Sequence, residues 1–174
     1  SDLTTQSSSL LFSSVGSNSM TVSWTNGNGS THLALIHAGA AVDANPVDGT
    51  QYTASTTYGS GDQIGTGNYV VYASTGNSVT ITGLSSSTTY HVRVFDYNHN
   101  SGENYLTSTA TGNPASQATL QQTYYSQSSS DPAVTSNWNT NTGGGGSTPS
   151  NFTSGDLFVI QNTHSMSTTT AWTI

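Results

Sequence analysis

The sequence predicts an all-β fold: an antiparallel β-sandwich over residues 1–120, carrying one long insertion, followed by a small β unit over residues 121–174. Three observations predict it. Apolar residues recur at every second position in runs rich in Val, Ile, Tyr and Trp, as in strands with one buried face. Strong helix formers are sparse, and no apolar stripe of 3.6-residue period persists. Turn residues separate about seven such runs, the number an antiparallel sandwich uses.

The elements follow in chain order. Met20, Val22 and Trp24 alternate with Thr21 and Ser23, which puts three large apolar side chains on one face and hydroxyls on the other. Asn26-Gly27-Asn28-Gly29 ends this strand with residues that tolerate positive φ. In residues 32–38, Leu33 and Leu35 share one face and Ala34 and Ile36 the other, a pattern that predicts burial on both sides. Residues 39–68 are a polar excursion longer than a sandwich connection requires, punctuated by Pro46, Asp48-Gly49 and Gly59-Ser60-Gly61. Tyr52 and Tyr58 offer anchors, so an ordered Ω-like insertion is expected. Strands are expected at residues 69–73, around Val79 and Ile81, along residues 90–95, and at residues 105–111, with Gly112-Asn113-Pro114 marking the exit.

Leu84 lies six residues before Tyr90 in Gly83-Leu84-Ser85-Ser86-Ser87-Thr88-Thr89-Tyr90, and Val92, Val94 and Asp96-Tyr97-Asn98 follow. The arrangement resembles the tyrosine corner of fibronectin type III domains, with Trp24 where that family carries its strand-B tryptophan. Ala41-Val42-Asp43-Ala44-Asn45-Pro46-Val47-Asp48-Gly49-Thr50 and Ile64-Gly65-Thr66-Gly67-Asn68-Tyr69-Val70-Val71-Tyr72 resemble a variant found in large secreted bacterial surface proteins. Tyr124-Tyr125-Ser126, Asn137-Trp138 and Gly155-Asp156-Leu157-Phe158-Val159-Ile160 resemble the start of the β-solenoid-like region that follows such domains. The resemblance implies an extracellular or cell-surface location. It also implies further strands after the equivalent of Ala171-Trp172-Thr173-Ile174, so this unit is expected to present unsatisfied strand edges.

Composition excludes several function classes. Charged residues are 5% of the chain against about 25% in an ordinary domain, while Ser and Thr supply about a third. With net charge −7 and Arg93 the sole Lys or Arg, a phosphate backbone would meet no basic patch, so nucleic acid is excluded as a partner. No apolar run is long enough to span a bilayer, so no membrane insertion is expected, and the absence of Cys excludes disulfides and thiolate metal sites.

Candidate sites are few. Asp43, Asn45 and Asp48 bring three oxygen-bearing side chains within six residues, enough to contribute to a Ca²⁺ site; the spacing is not that of an EF-hand loop, and turn formation explains it better. His32, His37, His91, His99 and His164 are scattered, with no carboxylate partner evident in the sequence. Asp43, Asp48, Asp62, Asp131 and Asp156 sit in turn contexts and Glu103 is the sole Glu, so no facing pair of glycosidase carboxylates can be assigned. No serine lies in a nucleophile elbow. Catalytic residues and cofactors are therefore assigned nowhere, and enzyme activity is not expected. Tyr52, Tyr58, Tyr97, Tyr124, Tyr125 and Trp138 are candidates for stacking on sugars, and Asn28 and Asn151 match the N-linked glycosylation sequon.

These readings point to an extracellular structural or adhesive protein that self-associates through β-strand contacts into a fibre or pilus-like assembly. The alternative is a non-catalytic carbohydrate-binding or spacer module of a secreted multidomain enzyme. The expected contact residues are Leu10, Leu11 and Phe12 at one end and Val159, Ile160, Trp172 and Ile174 at the other.

Overall fold

The structure is a computed structural model that describes residues 3–99, 102–152 and 155–168. It forms two compact units, Ser1–Leu120 and Gln121–Ile174. The first contains β1 (Ser8–Ser13), β2 (Met20–Thr25), β3 (Thr31–Ala38), β4 (Gln63–Ile64) and β5 (Asn68–Ser74), then β6 (Ser78–Ile81), β7 (Thr89–Asn98), β8 (Asn104–Tyr105) and β9 (Ala115–Ala118). A three-stranded sheet runs β1-β2-β6, and a second runs β4-β5-β3-β7-β8 with β9 also paired to β7. All of these pairings are antiparallel.

Alternation along the strands decides where the core sits. Met20, Val22 and Trp24 of β2 and Val79 and Ile81 of β6 face Ala34, Ile36, Val71, Tyr90, Val92 and Val94 across the sandwich. The Tyr90 hydroxyl accepts a hydrogen bond from Ser85 N–H at 2.9 Å, which fixes the expected tyrosine corner. Trp24 packs edge-on against Tyr72, with ring centroids 5.2 Å apart.

The opposite faces of β3, β5 and β7 are buried too. Leu33, Leu35, Val70, Phe95 and Tyr97 form a second core with Tyr105 and with Val42 and Ile64 from the insertion, against which Ala44, Tyr52 and Ala54 also pack. The insertion is thus a roof over the larger sheet, and this is why six consecutive residues of β3 are buried. Covering a Leu or Phe in this way is worth about 1.5–3 kcal/mol per side chain. Hydrogen bonds pin the roof at its corners. Asn68 Nδ2 donates to Ile64 O at 2.9 Å and to Asp43 Oδ1 at 2.8 Å, and the Tyr105 hydroxyl donates to Thr50 O at 2.9 Å.

The expected strand at residues 105–111 is interrupted. Only Asn104–Tyr105 pairs with β7 there, Ala110 bridges instead to Asn113, and pairing with β7 resumes at Ala115–Ala118. Side chains occupy the carbonyls in between: Gln6 Nε2 donates to Leu106 O at 2.7 Å and Ser108 O at 2.9 Å, and an Arg93 nitrogen donates to Thr107 O. Asn113 then stands in for a strand partner, its amide accepting from Val94 N–H at 3.1 Å and donating to Val94 O at 2.8 Å. The chain turns there at a cis Asn113-Pro114 bond and returns as β9 instead of leaving the sandwich.

The second unit contains β10 (Thr123–Ser126), a 3₁₀ turn (Thr135–Asn137), β11 (Trp138–Asn139) and β12 (Leu157–Val159), in the sheet order β11-β10-β12. Trp138 is fully buried and its indole N–H donates to Pro132 O at 2.9 Å. Phe158 stacks on Tyr124 and meets Trp138 edge-on. Among the described residues no helix is long and apolar enough to cross a membrane.

Candidate functional site

The most polar buried cluster of the sandwich centres on Asp96 in β7. Its Oδ2 accepts from Ser7 N–H at 2.5 Å, and its Oδ1 accepts from Gly29 N–H at 3.1 Å and lies 3.2 Å from His32 Nδ1. Above it, Gln6 Oε1 accepts from Asp96 N–H at 2.7 Å, and Ser7 O accepts from Asn113 Nδ2 at 2.7 Å. Gly27 and Gly29 allow the close approach: a Cβ at Gly27 would stand 2.0 Å from Thr5 O, and one at Gly29 would stand 2.8 Å from Asp96 Cβ. Burial alone would push the Asp96 carboxyl up. Hydrogen bonds from His32 and from the Ser7 hydroxyl and amide, together with the His32 charge, outweigh burial and hold it below the ordinary carboxylate range.

Ser7, His32 and Asp96 are the residue types of a hydrolytic triad, but their geometry is different. A triad uses one imidazole nitrogen for the acid and the other for the nucleophile. Here Ser7 Oγ, at 3.4 Å, and Asp96 both face His32 Nδ1, and none of the three side chains is open to a substrate. The trio is a staple that holds the N-terminal segment across the sandwich. The sequence reading missed it: His32 and His99 both have carboxylate partners, Asp96 and, at 3.4 Å, Glu103.

The other candidate residues take separate places. Asp43, Asn45 and Asp48 each accept from a different group: Asn68 Nδ2, an Arg93 nitrogen at 3.0 Å and Tyr105 N–H at 2.8 Å. Each of the three thus has one oxygen in a roof-to-sheet bond, and the Arg93 cation sits against Asn45. Among the described residues no three His, Cys, Asp or Glu side chains gather closely enough to hold a metal ion. Tyr58 packs edge-on against Tyr69 and Tyr90, Tyr97 packs on Tyr105, and Trp138 is internal, so these rings are occupied by the fold. An open depression of about 160 Å³ beside His91, Val42 and Pro114 is small against the 300–1,000 Å³ of ordinary ligand pockets. Asn151 is exposed; Asn28 is exposed as well, but its Oδ1 accepts from the amides of Thr4 and Thr5.

The expected contact residues divide. Leu10 belongs to the core and Phe12 packs half-buried against it, whereas Leu11 is 66% exposed. A bulge between Ser8 and Leu11 sets this register, with Ser9 at φ 54°. In the second unit β12 is the last strand of the sheet among the described residues. It pairs in parallel with β10, Thr123 opposite Leu157, Tyr124 opposite Phe158 and Tyr125 opposite Val159. Gln127 and Gln161 stand at the same offset. Gln127 Nε2 donates to Tyr125 O and Asn141 O, and Gln161 Nε2 donates one step on, to Ser126 O and Thr142 O. Val159 is half-buried, while Leu157 and Ile160 are nearly half exposed along this edge. Trp172 and Ile174 lie outside the described residues.

Among solved structures, the chain is similar to a crystal structure of titin domains, with 15% identity and TM-score 0.44 over 69% of this chain and 33% of that one. It is also similar to the fibronectin type III domain of human collagen XX (22%, TM-score 0.36, 62% and 95%) and to that of human fibronectin type III domain containing protein 3 (15%, 0.41, 69% and 89%). The chain thus spans about a third of the titin fragment. No curated protein matches it. The family model described as "Purple acid Phosphatase, N-terminal domain" matches residues 6–109, from Gln6 into the interrupted edge strand. With two antiparallel sheets, a tyrosine corner and this match over more than half its length, the chain belongs to the purple acid phosphatase N-terminal domain family, a fibronectin type III-like fold.

Proposed function

We propose that the chain is a non-catalytic structural module of an extracellular or cell-surface protein, and that it self-associates through the strand edge of its C-terminal unit into a fibre or pilus-like array. One observation carries this reading: among the described residues β12 is the last strand of its sheet, with Leu157 and the following Ile160 nearly half exposed, and a parallel pair of this kind can accept a further strand. The β10–β12 stacking, with amides repeating at Gln127 and Gln161, also supports a β-solenoid-like character for this unit. In the sandwich Leu11 is an outward apolar residue, as are Val47 and Leu120.

Sedimentation velocity and negative-stain microscopy of the purified chain test this. Filaments or concentration-dependent oligomers are expected, and Ile160→Lys should leave monomers, because a desolvated ammonium at the edge has no partner. A monodisperse monomer at every concentration would sink the fibre reading.

A second reading, a spacer or carbohydrate-binding module of a secreted multidomain enzyme, is favoured by the family itself, which is named for an N-terminal domain of a phosphatase. Glycan-array binding by a monomer would select it.

A further inference from the structure

We propose that His37 and His91 form an open, two-imidazole site for Zn²⁺ or a similar divalent transition metal on the roofed face of the larger sheet. The site does not rest on the assembly reading. Strand register brings the two residues together. β3 and β7 are antiparallel neighbours with His37 directly opposite His91. Side chains so placed share a face and have Cβ atoms about 4.5–5.5 Å apart. Zinc binds imidazole nitrogen at about 2.0–2.1 Å, so two ligating nitrogens stand roughly 3.3 Å apart, a closure that rings on such Cβ atoms can make. Both residues are half-buried. Both strands are internal to the sheet, β3 between β5 and β7, and β7 between β3 and β8 with β9, so the pair stands on rigid elements.

The surroundings leave the nitrogens available. His37 Nδ1 lies 2.9 Å from Ala38 O. A carbonyl only accepts, so Nδ1 carries the proton and Nε2 keeps its lone pair, the arrangement in which metal-bound histidines are usually held. Gly67 leaves that nitrogen uncrowded, since a Cβ there would come within 2.5 Å of it. The His91 ring makes no hydrogen bond to the described residues, and it borders the open depression lined by Val42, Pro114 and Ser116, which gives an ion a way in. Ser116 stands opposite His91 on β9, so a hydroxyl extends the row. Two imidazoles are half the ligands of a closed zinc site, and the other positions fall to water or to a donor group on a bound molecule. Arg93, the sole Lys or Arg, follows two positions along β7, but its guanidinium leans away over the Phe95 ring, 4.5 Å from the centroid. The remaining histidines are differently placed: His32, His99 and His164 face Asp96, Glu103 and Ser126, and among the described strand pairings none stands opposite another histidine.

Calorimetric titration of the full chain with zinc chloride, together with the histidine ring signals in NMR, tests the site. One equivalent is expected to bind, moving or broadening the His37 and His91 signals before those of the other three. Loss of a partner behind a metal ligand already costs about tenfold or more in affinity, so His37→Ala and His91→Ala should each weaken binding by at least that factor. His91→Gln should do the same, and the double variant His99→Ala/His164→Ala should bind as the parent does. Circular dichroism melts without zinc show that each variant is folded. With zinc, the thermal midpoint of the parent should rise and those of His37→Ala and His91→Ala should not, because an ion bound only by the native state stabilises it. No zinc binding by the parent would overturn the proposal. So would binding that survives the loss of either histidine, or that disappears in the His99→Ala/His164→Ala variant.

Discussion

At Asp96, a single buried carboxylate joins parts of the chain that are remote in sequence: Ser7, Gly29, His32 and its own strand. Asp96→Asn keeps the shape but removes the charge from these bonds, and should cost about 1.5–3 kcal/mol in urea unfolding. The pH dependence has a definite sign. The folded-state carboxyl lies below the ordinary value, so the unfolded chain takes up the proton more readily as pH falls. Stabilisation from Asp96 is complete above about pH 4 and is lost as pH drops through the folded value; Asp96→Asn should flatten the acid limb of the stability curve in that window. Gly27→Ala tests the same cluster sterically: a methyl driven against Thr5 O should destabilise by about 3 kcal/mol, readable as a lower urea midpoint. Little of this cluster was legible beforehand. Gln6 and Ser7 sit in a hydroxyl-rich run that reads as solvated, and only the fold brings them to a carboxylate some ninety positions away. Leu10 and Leu11 were legible as apolar, but which of them points inward depends on a bulge that period-2 reading does not register.

Among the elements, the strands that alternate or bury both faces were the readable ones: β2, β3, β5 and β7 lie where the pattern put them, because burial dictates side-chain type at every second position. The edge after β8 was misread, since its backbone bonds to the side chains of Gln6 and Arg93, and the Asn113 side chain takes a strand's place against Val94, none of which strand propensity registers. The insertion was readable as ordered, but not as a roof: its polar composition hides the few residues, Val42, Tyr52 and Ile64, that reach the second core. Tyr52 leans on Tyr105, with ring centroids 6.0 Å apart, and its hydroxyl accepts from Val47 N–H at 3.1 Å. Tyr52→Ala should loosen the roof without melting the sandwich. Hydrogen exchange is expected to accelerate across residues 41–55 while β2 and β6 keep their protection.

For the whole molecule, two units with separate cores predict separable transitions. Trp24 reports on the sandwich and Trp138 on the C-terminal unit. Trp138→Phe should lower only the transition of the C-terminal unit in calorimetry, because it removes the indole bond to Pro132 O and part of the packing with Phe158. The roof also gives the sandwich two unlike sides. Asp43, Asp48 and Asp62 all belong to the insertion, whereas the uncovered face of β2 and β6 displays Thr21, Ser23, Ser78 and Thr80, with the Thr21 and Thr80 hydroxyls bonded at 2.9 Å. The sandwich is therefore electrically polarised, and on a cationic support it should settle roof-down, turning outward a neutral lawn of hydroxyls whose hydration is insensitive to salt and pH.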